Sequence, residues 1–300
     1  MRISYIVKLL KPLEGFNIYF MEKKKIGFIG QGYIGKNYAD DFEERGFPVV
    51  RYALEEPYNG NGKGIKDCEI VFIAVPTPTK PDGFDPSIVK KVIKLIGKGN
   101  TAVIKSTLLP GTTEEIQKEN PEIFVMHSPE FLTEANAQKD AQNPERNIIG
   151  IPEENEEYQK KGREVLEVLP QSPFELICSA REAELIKYGG NCFLYTKVVF
   201  MNLFYDLVRE NRGDWETVKK ALSADKRIGA SHMDPVHESG RGAGGNCFIK
   251  DFAAFREAYE QIVGDEPGVE AIRSLEKKNC DLLKKSKKSL DLLKGVYGED

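Results

Sequence analysis

Lys25-Ile26-Gly27-Phe28-Ile29-Gly30-Gln31-Gly32-Tyr33-Ile34-Gly35 is the stretch whose reading decides the fold. A short apolar run ends at Gly30 and a helical pattern starts at Tyr33. The GxGxxG spacing of Gly30, Gly32 and Gly35 therefore falls at a strand-to-helix turn. Glycines there permit a tight turn and close approach of backbone N–H groups to a pyrophosphate, and the helix N-terminus adds partial positive charge. Gly30, Gln31, Gly32, Tyr33, Ile34 and Gly35 are thus the expected cofactor loop, and a dinucleotide is the expected ligand.

Outward from this turn, apolar runs at 48–53, 69–75, 101–106, 123–127 and 147–151 join 25–30 as predicted strands, with helical patterns at 33–45 and 86–96 among them. The runs are rich in Val and Ile rather than alternating, as expected for strands covered on both faces. This is an α/β pattern, an N-terminal Rossmann-like doubly wound parallel sheet. Beyond Ser179 the pattern changes to helices over 180–211, 215–223, 248–262 and 269–293, an all-α domain. The expected division is a 1–22 extension, a 23–179 dinucleotide-binding domain and a 180–300 helical domain. Lys8, Lys11 and Glu14 interrupt the apolar stretches of the extension, which is neither a membrane span nor a signal peptide. Met21 is the expected translation start, or the extension a dispensable arm.

The 300 residues are 40% hydrophobic and 30% charged, an ordinary soluble profile with room for two cores. A net charge of -4 gives no footprint for nucleic acid. Cys68, Cys178, Cys192, Cys247 and Cys280 are scattered and odd in number, with no CxxC pair. They suggest neither a disulfide framework nor a metal site, but reduced thiols in a cytoplasmic protein.

A second glycine run, Gly242-Ala243-Gly244-Gly245-Asn246-Cys247-Phe248-Ile249-Lys250-Asp251, places Cys247 ahead of a helix. Free N–H groups and the macrodipole there favour a thiolate, whereas the other four cysteines suit small core positions. Gly244 and Gly245 let a substrate approach the backbone. Asp251, four residues on, shares a helical face with Cys247. Lys187 and Asn191 have the same spacing within an apolar helix, where a buried lysine needs a partner. Glu130 and Glu134 repeat it after the fifth strand, at the sheet edge where ligands collect. The ribose-binding position holds Ala53; either Glu55, just after it, takes the hydroxyls, or ribose recognition is weak. Arg51 is expected inside the strand, which favours NAD over NADP.

In order along the chain stand Gly30–Gly35, Val75-Pro76-Thr77-Pro78, Asp82-Gly83 with Asp85, and Ser106-Thr107 with Pro110-Gly111-Thr112-Thr113. Ser128-Pro129-Glu130-Phe131-Leu132, Ala183-Glu184-Leu185-Ile186-Lys187 with Asn191, Arg227-Ile228-Gly229 and the Cys247 run follow. In this combination the chain resembles the UDP-glucose/GDP-mannose dehydrogenase family. The resemblance implies an NAD-dependent, four-electron oxidation of a nucleotide-sugar C6 hydroxyl to a carboxylate, through a thiohemiacetal and a thioester on Cys247. It implies that Lys187 and Asn191 stabilise the C6 oxyanion, that Asp251, Thr107 and Glu134 organise water and protons, and that Glu130 acts as acid/base through water. Val75, Pro76, Thr77, Ser106 and Thr107 would join the cofactor site. Phe131, Leu132, Lys187, Gly244, Gly245 and Lys250 would contact substrate, and the helical domain would form a homodimer. Departures from the family pattern are Ala53, Pro76, a short 55–66 linker and the family's third domain, since only 45 residues follow Phe255. Lys284, Lys285, Lys287 and Lys288 are expected on a solvated helix face, with a pyrophosphate clasp as the alternative. Two other functions stay open: a single-step hydroxyacid dehydrogenase that does not use Cys247, and a degenerate NAD-binding regulatory protein.

Overall fold

The computed structural model describes residues 23–81 and 83–298; the side chains of Glu134 and Asn246 lie outside the description. The 1–22 extension, the Met21 start and Asp82 therefore lie outside the described residues.

Seven strands form one sheet: β1 (Ile26–Ile29), β2 (Val49–Tyr52), β3 (Ile70–Ile73), β4 (Thr101–Ile104), β5 (Phe124–His127), β6 (Asn147–Ile151) and β7 (Glu175–Ser179). Their order across the sheet is β2-β1-β3-β4-β5-β6-β7. β1, β3 and β4 are buried at every residue, which explains their continuous apolar sequences. Phe28, Phe72, Val103 and Met126 pack on one face against Tyr38 and Phe42; Ile29, Val71, Ile104 and Val125 pack on the other against Val89 and Ile116.

Every pairing is parallel except β5 with β6, where His127 faces Gly150 in antiparallel register. The connection from Ser128 to Arg146 leaves and rejoins the sheet at the same edge, so β6 runs back rather than crossing over. β7 escaped the sequence pattern because it is only partly buried, with Glu175 exposed and the other four residues intermediate.

The helices used below are α1 (Tyr33–Glu44), α2 (Thr112–Glu119), α3 (Glu156–Val168), α4 (Ala180–Glu210), α5 (Trp215–Ser223), α6 (Gly245–Ile262), α7 (Glu266–Ser286) and α8 (Leu290–Tyr297). α4 starts at a capping box: the Ser179 hydroxyl accepts from the Glu182 N–H, and the Glu182 carboxylate accepts from the Ser179 N–H. It packs along α6, with Tyr195 stacked on Phe252 at 3.8 Å between ring centres.

The expected single helix over 269–293 is two. Lys287 and Ser289 adopt left-handed φ values of 57° and 54° and break α7 from α8. The turn leaves Lys288 buried, in place of the expected solvated position. α6 also starts earlier than expected, so Cys247 lies within its first turn.

Candidate active site

The carboxyl edge of the sheet gathers the cofactor loop. Gly30, at φ 91°, follows β1, and a Cβ there would lie 2.2 Å from the Ala74 carbonyl oxygen. A Cβ at Gly35 would lie 1.9 Å from the Gly30 oxygen. These two glycines are required by the turn and by the packing of α1 on β1. Gly32, the N-cap of α1, faces open space. The residues present therefore fit a dinucleotide pyrophosphate at the start of α1.

The ribose side is as distinctive. Ala53 is buried, and Glu55 is exposed just beyond β2. Arg51 lies within β2, and its guanidinium pairs with Asp40 at 2.7 Å and with both Glu43 oxygens at 2.9 and 2.7 Å. Two carboxylates from α1 thus compensate the one arginine that would otherwise attract a 2′-phosphate. On the next strands the Ser106 hydroxyl accepts from the Val75 N–H at 3.0 Å and donates to the Val75 carbonyl at 2.7 Å. Thr77 donates to the Thr107 carbonyl at 2.8 Å. Ser106 and Thr77 thereby hold the β3 and β4 exits together, and Pro76 lies exposed between them.

One stretch of α4 makes two junctions, one to this edge and one to α6 within the helical half. Lys187 is buried and donates from Nζ to the Glu130 carbonyl, with the Phe131 ring 5.7 Å away. One turn later Asn191 donates to Asp251 Oδ2 at 2.6 Å. The other Asp251 oxygen accepts from Lys250 at 2.5 Å. Asp251 is almost fully buried, while Cys247, one turn earlier on α6, is exposed. Leu109, from the loop after Thr107, packs with Phe248 against the core shared by α4 and α6. The structure thus joins Lys187 with Glu130 and Phe131, and Asn191 with Asp251 and Lys250.

The second glycine run divides by role. A Cβ at Gly244 would meet Lys288 Cε at 2.7 Å and Ser289 Oγ at 2.8 Å, so that space is filled by the chain itself. Gly245, at φ 82°, faces open space, and of the two it alone leaves room for a substrate.

Two buried groups, Lys105 and His127, were not anticipated. Lys105, at the end of β4, donates to the Ser128 hydroxyl at 3.3 Å and lies 3.9 Å from Glu130 Oε2 and 4.2 Å from the Tyr38 ring centre. Burial pushes its ammonium down, Glu130 opposes that, and Lys187 adds to it. Glu130 Oε1 accepts from the Leu132 N–H, while Oε2 has no hydrogen-bond partner. These groups border a cavity of about 180 Å³ that also includes Arg146, whose guanidinium covers the Phe131 ring. His127 is fully buried without a hydrogen bond to either nitrogen. Burial, reinforced by Lys105, lowers its pKa to about 3. A lysine interrupting the apolar 101–106 run was the one available signal.

A larger cavity, about 540 Å³, lies between Arg209, Trp215 and Val236 and includes none of these residues. Along α4, Lys187 and Arg209 are roughly 33 Å apart. Among the described residues no three His, Cys, Asp or Glu side chains converge as metal ligands, and no helix is long and apolar enough to cross a membrane.

Two family models match the chain. One, described as UDP-glucose/GDP-mannose dehydrogenase family, NAD binding domain, covers residues 58–169; the other, the central domain of the same family, covers residues 181–279. A UDP-glucose 6-dehydrogenase of Rickettsia bellii is 34% identical over 229 residues, 73% of this chain and 51% of that protein. One of Pseudomonas aeruginosa is 34% identical over 242 residues, 74% of this chain and 51% of that protein. The chain spans about half the length of these curated relatives. Among solved structures, a UDP-glucose dehydrogenase from Pyrobaculum islandicum superposes with a TM-score of 0.73 at 28% identity, over 88% of this chain and 70% of that one.

Proposed function

The chain belongs to the UDP-glucose/GDP-mannose dehydrogenase family, and from that premise we propose that it oxidises the C6 hydroxyl of a nucleotide sugar to a carboxylate, with NAD as oxidant and Cys247 as covalent carrier. The observation that carries this reading is the pair of junctions on α4. Lys187 and Asn191 reach the Glu130 loop and Asp251 from adjacent turns, with Cys247 exposed one turn from Asp251.

NAD, when bound, supplies hydride acceptance, and a C6 alcohol must lose two hydrides to become a carboxylate. Lys187 and Asn191 stabilise negative charge on the C6 oxygen. The Cys247 thiolate adds to the aldehyde carbon, so the aldehyde stays bound as a thiohemiacetal; loss of the second hydride leaves a thioester. Water then cleaves the thioester, releasing the carboxylate and returning the thiol. Asp251, held by Asn191 and Lys250, accepts a proton from that water, with Thr107 and Glu134 completing the water site. Glu130 serves as the acid/base through water. Phe131, Leu132, Lys250 and Gly245 line the sugar side. The ion-paired Arg51 supports NAD over NADP.

The partner assigned to the helical half is a second copy of the chain. Leu185, Phe193, Phe200, Leu203 and Leu207 are exposed along α4. Phe193, Phe200 and Leu207 recur every seven residues, the spacing of a helix-on-helix seam.

The test is incubation with NAD and a panel of nucleotide sugars, counting NADH per sugar. Two NADH per carboxylate are expected, with Cys247→Ser making no net carboxylate. Reduction by no donor would overturn the reading; carboxylate formation unaffected by Cys247→Ser would overturn the role of the thiol.

A further inference from the structure

The glycine run before Cys247 has a purpose besides substrate access. Three alternate glycines each receive a side chain from the α7–α8 segment. A Cβ at Gly240 would lie 2.5 Å from Ser286 Oγ, at Gly242 3.0 Å from Asn279 Oδ1, and at Gly244 2.7 Å from Lys288 Cε. The same side chains bond the backbone they press against. Asn279, fully buried, accepts from the Ala243 N–H at 2.7 Å and donates to the Ala243 carbonyl at 3.0 Å. The Ser286 hydroxyl accepts from the Arg241 N–H at 3.0 Å, and the Gly245 N–H donates to Ser289 Oγ at 3.3 Å. Lys288 Nζ donates to the carbonyls of His237, Gly240 and Gly242 at 3.1, 3.5 and 3.3 Å.

We propose that Lys288, together with Asn279, Ser286 and Ser289, is a positioning residue for Cys247: the left-handed break between α7 and α8 forms a clamp that fixes the Val236–Gly245 backbone and with it the first turn of α6. Several features carry this. A buried ammonium is costly unless its donors are satisfied, and here its bonds go to three carbonyls of the one loop that carries the candidate nucleophile. A loop with four glycines between 240 and 245 would otherwise be among the most mobile of backbones. The left-handed φ at Lys287 and Ser289 turns residues 288 and 289 inward, where a continuous helix would have kept its regular 3.6-residue face. Lys288 also lies beyond residue 279, where the central-domain match ends.

The catalytic part of this inference rests on the proposed role of Cys247; the mechanical part does not. The experiment therefore has two readouts on full-length Lys288→Met and Ser289→Ala proteins. The first is amide hydrogen exchange of the 236–247 segment in the folded protein. Exchange at least tenfold faster than wild type is expected for Lys288→Met, with the amides of β1, β3 and β4 unchanged. The second is steady-state oxidation of the nucleotide sugar, where kcat should fall at least tenfold while KM for NAD stays within twofold. Unchanged exchange at 236–247 in either folded variant would overturn the clamp. Faster exchange with unchanged kcat would overturn its link to Cys247. Should Lys288→Met fail to fold, Ser289→Ala, which removes one hydroxyl, still decides with an expected threefold or greater effect on both readouts. A wild-type protein that oxidises no nucleotide sugar would refute the proposed function and leave the exchange result to judge the clamp.

Discussion

Glu184 and Thr113 fasten the helical half to the sheet: the Glu184 carboxylate accepts from the Thr113 N–H at 2.8 Å and from its hydroxyl at 2.6 Å, and a third bond comes from the Gly111 N–H at 2.6 Å. The acid rises from the second turn of α4 and meets the start of α2, which has no side-chain cap of its own. Negative charge at a helix N-terminus is favoured by the free N–H groups there. Burial pushes the carboxyl up, and the three bonds oppose that shift. Glu184→Ala would leave the buried donors at 111 and 113 unsatisfied. A loss of about 3 kcal/mol in urea unfolding is expected, with the two halves separating to distinct transitions. A change below about 1 kcal/mol would show that the contact matters little.

The two kinds of glycine in the cofactor loop should separate on mutation. Gly30→Ala and Gly35→Ala force a Cβ against backbone oxygen, and each is expected to lower stability by about 3 kcal/mol or more. Gly32→Ala meets nothing in the protein. It should fold as wild type yet bind NAD at least tenfold more weakly by calorimetry. Equal NAD affinity in Gly32→Ala would move the pyrophosphate elsewhere.

His127 gives the fold a pH dependence with a definite sign. Its folded pKa, about 3, lies below the ordinary value. Between that value and about 6.5 the unfolded chain binds a proton that the folded chain refuses. Stability is therefore lost as pH falls through this window, by roughly 1.4 kcal/mol per pH unit from this group alone. Lys105 and Lys187, the charged groups that face it, reinforce the effect. His127→Leu should flatten the decline between pH 6.5 and 4.5 when chemical unfolding is compared across that range. Parallel slopes for the two proteins would refute this assignment.

The exposed stripe of α4 predicts that Phe200→Glu changes the assembly. Wild-type protein should have a dimer mass by light scattering at micromolar concentration, and the variant a monomer mass. A monomeric wild type would remove the proposed homodimer.

Local signals were the legible part of this chain. The Gly30–Gly35 turn, the buried runs of β1, β3 and β4, and the extent of α4 and α5 follow from periodicity and glycine chemistry alone. The reversal at β6 was not legible, because apolar runs carry no direction. Nor was the break at Lys287–Ser289, where two residues adopt left-handed φ and Lys288 between them bonds carbonyls far away in sequence. Lys187 stands in an apolar helix, but that it is buried against the carbonyl of Glu130 depends on tertiary packing. Lys105, His127 and Glu184 were missed for the same reason: their neighbours come from other strands and helices, and nothing in their own segments announces them.

The reversed strand β6 has a mechanical consequence. Since β5 and β6 run in opposite directions side by side, the segment that holds Glu130 is anchored at both of its ends to adjacent strands of one rigid sheet. It behaves as a bracket rather than a swinging flap. Any relative movement of the two halves then falls to α4 and α6, which pack together and are tied to the sheet side by Glu184 and by the bond from Lys187 to the Glu130 carbonyl.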